Sequence, residues 1–126
     1  MRQRSACITI RIYIVRYEWD EAKNRSNQRK HGVSFYLATL VFEDPRCLVE
    51  PDHVDETGEQ RWHAIGAAQL EGQSAVLLVV HVYREDRHGE EIIRIISARQ
   101  ASKRELRRYQ QTEVDEAGAG DSPADR

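Results

Sequence analysis

Arg61 and His63 stand two residues apart in EQRWHAIG, and Arg94 and Arg99 bracket the run RIISAR. A guanidinium fork grips two phosphate oxygens at once, and an imidazole takes or gives a proton near neutral pH. Residues two apart on a strand share a face, so Arg61 and His63 point the same way. Arg94 belongs to a neighbouring strand and Arg99 lies just beyond its end. Arg94 interrupts an isoleucine-rich strand, where a charge is costly unless that face is open or the group is paired. The set suits a bound phosphoryl centre, provided that Arg61, Arg94 and Arg99 meet at an open patch. Each member also has a plainer reading. Arg61 can be a solvated strand arginine paired with Glu59, and His63 or His81 an exposed or hydrogen-bonded side chain. His31 ends a helix, where it can cap carbonyls. Glu59 can act as a base only where burial raises its pKa.

Cations gather in two blocks. Residues 94–109 carry Arg94, Arg99, Lys103, Arg104, Arg107 and Arg108 against Glu105 alone, and residues 23–31 carry Lys23, Arg25, Arg29 and Lys30 with no acid. Residues 43–59 oppose seven carboxylates to one arginine, and residues 113–126 oppose five to one, so the net charge of −2 conceals a segregation. Basic blocks that converge in space attract polyanions. Lys30, Lys103, Arg104, Arg107 and Arg108 are therefore candidates for binding an RNA backbone or an acidic partner. For the last four, a solvated helix face is an equally good explanation.

At 126 residues the chain suits one domain over residues 1–112, with an acidic, Gly- and Ala-rich tail expected to be disordered. Cys7 and Cys47 make neither a disulfide framework nor a zinc motif, and a reducing cytosol fits them. Basic residues precede an apolar run at the start, but Arg11 breaks that run, unlike a signal peptide. Nothing approaches the roughly 20 apolar residues of a membrane span, and the expected location is cytoplasmic. The five histidines lack paired zinc spacing, DHVDETGE lacks the ligand positions of a calcium loop, and there is no Gly-rich phosphate loop. Neither metal nor cofactor is expected, and DHVDETGE reads as a solvated connection or as a contact to a protein partner.

Periodicity supplies the elements. Ile8, Ile10, Ile12 and Ile14 alternate with polar neighbours and predict one strand over 8–18. Asp20 caps a helix over Glu21–His31 that Gly32 terminates; nearly bare of apolar residues, it is expected to be exposed and held by its ends. Ser34 caps a core helix bearing Phe35, Ala38, Val41 and Phe42, stopped by Asp44-Pro45. Strands follow over 46–50, 60–68, 75–84 and 91–98, with turns at Glu71-Gly72 and Arg87-His88-Gly89. A last helix, started at Ser97 or at Ala101-Ser102, docks through Ala101, Leu106 and Tyr109 or through Leu106 alone. The expected fold class is α+β: an N-terminal strand, two helices, an antiparallel β-meander of three to four strands and a C-terminal helix, with the helices on one sheet face. No repeat is evident.

The pieces YEWDEAK, Asn27 followed by RKHGVSF, then VFED, RWHAIG and RIISARQASKRELRRY, in that order and spacing, resemble the BrnT toxins of bacterial type II toxin–antitoxin modules. The resemblance covers about residues 17–110. It implies a RelE-like single domain that inhibits translation by cleaving RNA without a metal. It also implies neutralisation by a cognate BrnA-like antitoxin, with promoter DNA bound only through the antitoxin complex. Residues 1–16 and the acidic tail fall outside the family's usual extent. With the resemblance, Arg61, Arg94, Arg99, His31, His63 and Glu59 become the candidate catalytic set. The rival reading is a non-catalytic nucleic-acid-binding or corepressor module, and a third is a plain protein-interaction domain.

Overall fold

The computed structural model describes residues 6–12 and 15–119. Six strands form a single sheet: β1 (Cys7–Ile12), β2 (Val15–Asp20), β3 (Leu48–Val54), β4 (Gln60–Leu70), β5 (Gln73–Glu85) and β6 (Glu91–Gln100). Their order is β1-β2-β6-β5-β4-β3. The helices are α1 (Glu21–His31), α2 (Phe35–Thr39), continued by a 3₁₀ turn over Leu40–Glu43, and α3 (Lys103–Ala119). The sheet is mixed, because β2 runs parallel to β6, with Tyr17 beside Ile93.

This corrects the expected helix pair followed by an antiparallel meander of three to four strands. The single strand expected over 8–18 is a hairpin, Cys7 opposite Asp20 and Ile12 opposite Val15. The isoleucine alternation ends at Ile14, and the apolar positions then shift to Val15, Tyr17 and Trp19; that change of phase marks the reversal, and counting isoleucines alone passes over it. Residues 13 and 14 of the expected strand lie outside the described residues. So does part of the expected tail: α3 extends to Ala119, and residues 120–126 are not described.

The helices do not share one face. Ala64, Ala68, Leu77, Val79, Ile93 and Ile95 pack with Phe35, Ala38 and Val41 of the α2 region. The alternate residues Ile65 and Leu78 pack with Tyr109 of α3. Successive strand residues point to opposite faces, so α2 and α3 lie on opposite sides. Asp44 joins the two sides around the sheet edge. Its Oδ2 accepts from the Ala67 N–H at 2.8 Å and from the Tyr109 hydroxyl at 2.6 Å, while Oδ1 accepts from the Arg46 N–H at 3.0 Å. Burial alone would raise its pKa, but these donors outweigh burial and hold it below the ordinary value. Gly66 permits the close approach, since a Cβ there would stand 2.9 Å from Val41 Cγ1.

α1 has the expected caps, with Asp20 Oδ1 accepting from Ala22 N–H and Gly32 left-handed at φ 72°. Its docking is polar as well as terminal. Buried Asn24 accepts from the Phe35 N–H at 2.8 Å, and buried Asn27 donates to the carbonyls of Val33 and Ala98 and accepts from the Ala98 N–H. Past its contact with β2, β6 has a free edge, and the Asn27 amide pairs with it as a peptide would. This is how a helix without an apolar stripe holds against the sheet.

One short repeat is present after all. Asp55-Glu56-Thr57-Gly58-Glu59 and Asp86-Arg87-His88-Gly89-Glu90 close the β3–β4 and β5–β6 hairpins in the same way. The aspartate oxygen accepts from the N–H groups two and four residues on, and the glycine takes a positive φ.

Candidate active site

Most of the candidates fall on the α3 side of the sheet. Register sets Arg94 opposite Val82 and beside Glu18, His63 opposite Val80 and Glu50, and Arg99 opposite Leu78. Alternation then puts Arg61 on that face with His63. A bulge at Ile96, between the Val80–Ser97 and His81–Ile95 pairs, keeps Arg94, Ser97 and Arg99 on it too.

Each arginine here is held by a carboxylate of its own chain. Arg61 Nε lies 3.3 Å from Asp55, rather than on Glu59. Arg94 Nη1 donates to Glu18 at 2.9 Å and to Cys7 Sγ at 3.7 Å. Arg99 grips both oxygens of Glu105, at 2.8 and 2.9 Å. The same Glu105 carboxylate accepts from the Ser102 N–H, and the Glu105 N–H donates to Ser102 Oγ, a capping box that starts α3. The Arg99 guanidinium, followed by Ser102, pulls the Glu105 carboxyl down to about 2.

His63 has the most developed surroundings. Its Nε2 lies 3.1 Å from Glu50 Oε1, and the other Glu50 oxygen takes Arg108 Nη2. Its Nδ1 stands 3.8 Å from Asp52 Oδ1, beyond hydrogen-bond distance but within ion-pair reach of that carboxylate when the ring is protonated. The Arg108 guanidinium, aided by His63, holds the Glu50 carboxyl below its ordinary value against a smaller effect of burial. Ion pair, carboxylate and imidazole thus form a chain from α3 through β3 to β4.

The remaining candidates lie elsewhere. His81 is fully buried on the opposite face, edge-on to Phe42 at 4.9 Å and Tyr83 at 5.0 Å, and burial pushes its pKa down to about 4. It is therefore a neutral core histidine. Glu59 is 3.3 Å from Arg84. Lys103, Arg104 and Arg107 are exposed on α3. Lys30 and His31, exposed at the end of α1, line a groove of about 230 Å³ with Lys23, Ser26, Asn27, Ile96 and Ser97.

Sequence reasoning missed Glu50, Asp52 and Glu18 as neighbours of the site. Glu50 faces His63 only through the β3–β4 register, which shifts between Pro51 and Val54 and so cannot be counted back from the turn. Among the described residues no three His, Cys, Asp or Glu side chains are disposed to hold a metal ion, and no helix is long and apolar enough to cross a membrane.

No curated protein matches the chain. Residues 19–105 match the family model described as the ribonuclease toxin, BrnT, of type II toxin-antitoxin systems. That span takes in both asparagines of α1, the Glu50–His63 pair and Arg61, Arg94 and Arg99, and the chain belongs to the BrnT family of ribonuclease toxins.

Proposed function

We propose that this chain is a metal-independent endoribonuclease that acts at the α3 side of its sheet. The observation that carries the reading is His63, fixed through one nitrogen by the Arg108-held Glu50, on the face that bears Arg61 and Arg94. In the reaction the 2′-oxygen attacks phosphorus and the bond to the 5′-oxygen breaks, leaving a 2′,3′-cyclic phosphate and a 5′-hydroxyl. One proton must leave the 2′-hydroxyl and one must reach the 5′-oxygen; His63 carries one of these transfers and water the other. Arg61 and Arg94 neutralise the charge that grows on the phosphoryl oxygens. Arg99, bound to both oxygens of Glu105, positions the start of α3. Glu59 serves Arg84 and stands outside the reacting set.

Cleavage would inhibit translation in the cytoplasm. A BrnA-like antitoxin would neutralise it by covering the same face, and promoter DNA would be met only through that complex. The test is purified protein with RNA in EDTA. Fragments ending in 2′,3′-cyclic phosphate, formed at least about 100-fold more slowly by a folded Arg94→Ala variant, are the expected result. RNA that is bound but stays intact would instead identify a non-catalytic binding module.

A further inference from the structure

We propose that the groove between α1 and β6 is a phosphate subsite, which seats one backbone phosphate of the RNA beside the reacting one. This rests on the ribonuclease reading for its ligand, though not on any catalytic residue.

The lining is chemically one-sided. Lys23, Lys30 and His31 bring three nitrogen donors, Ser26 and Ser97 bring two hydroxyls, and no carboxylate lines the space. Among the described residues the side chains of Lys23, Lys30 and His31 make no ion pair or hydrogen bond. They differ in this from Arg61, Arg94, Arg99 and Arg108, each already neutralised by a carboxylate. A phosphate entering the groove displaces only water.

The walls are fixed. Asn27 lines the groove while its amide is bonded to Ala98 of β6, so α1 is held at a set distance from the strand. The Ile96 bulge brings Ile96 and Ser97 to the other wall. Ser97 lies three residues beyond Arg94, at most roughly 10 Å along the strand and less across the bulge, a separation that successive phosphates of one RNA strand meet once the length of the Arg94 side chain is included. A volume near 230 Å³ takes a phosphodiester group. Lysine suits such a seat, as a point charge needing no planar match to its anion.

The experiment is binding of a 2′-O-methyl RNA oligonucleotide, which lacks the attacking hydroxyl, to the full chain and to a Lys23→Ala/Lys30→Ala variant across a salt series. Both lysines are exposed, so the variant keeps its fold, as circular dichroism will verify. The variant is expected to bind roughly five- to tenfold more weakly at 0.1 M salt, with its salt slope reduced by roughly 0.7 to 1. With cleavable RNA its KM rises by a similar factor and kcat stays within about twofold. Affinity and slope equal to wild type overturn the subsite. So does a variant that keeps RNA affinity but loses antitoxin binding, which would assign the groove to the protein partner. Weakened binding by the variant in a chain that never cleaves RNA upholds the subsite and removes only the ribonuclease reading.

Discussion

The cations of this chain stand in two different states. On the α3 face Arg61, Arg94, Arg99 and Arg108 each have a carboxylate of their own, from Asp55, Glu18, Glu105 and Glu50 in turn. In the α1 groove, a few residues away, Lys23, Lys30 and His31 have no charged partner among the described residues. A phosphate bound by the first group must compete with an internal carboxylate, and one bound by the second need not. The difference separates orientation from attraction. Paired arginines hold fixed directions and turn to the substrate only when it is well placed, whereas unpaired lysines draw in any phosphate at longer range.

Several substitutions break or sharpen this contrast. The largest effect is expected from Asn27→Asp, which would set a carboxylate against the Val33 and Ala98 carbonyls that the amide now satisfies. A loss of about 3 kcal/mol or more in denaturant unfolding is expected, with the groove and RNA binding lost together. Glu18→Gln acts on the paired side alone. It releases Arg94 from its carboxylate and should tighten binding of 2′-O-methyl RNA roughly threefold, at a cost below about 1 kcal/mol in stability. Unchanged affinity would show that Arg94 does not meet the RNA.

The smallest effect on RNA binding, and the most selective, belongs to Glu105→Gln. It loosens the Arg99 bridge and the capping box of α3 and should cost about 1 kcal/mol without altering RNA affinity. The pH dependence has a definite sign. Glu105 titrates near 2 in the folded chain against 4.5 when free, so its stabilisation is present above pH 4.5 and lost as pH falls towards 2. The wild type and the variant should converge in stability over that window.

Sequence carried the local features and lost the long-range ones. The α1 boundaries were legible because Asp20 and Gly32 act on their immediate neighbours. The common face of Arg61 and His63 follows from strand alternation alone. The reversal between β1 and β2 is marked only by a change of phase, from Ile8, Ile10 and Ile12 to Val15, Tyr17 and Trp19, which a count of isoleucines overlooks. The parallel β2–β6 pair and the far-side docking of α3 depend on contacts some 70 residues apart. Nor could charge counting assign partners: Glu50, Glu18 and Glu105 each neutralise an arginine of the basic set, and two of those pairings are set by tertiary register. The docking of α1 through Asn24 and Asn27 escaped notice because buried amides leave no apolar stripe to read.

The most direct measurement is the single-turnover rate of RNA cleavage by His63→Ala, taken with its affinity for 2′-O-methyl RNA. A proton-transfer role for His63 predicts a rate lower by roughly 100-fold or more with affinity within about twofold of wild type. A rate within a few-fold of wild type would contradict that role and move the chemistry away from the Glu50–His63 pair.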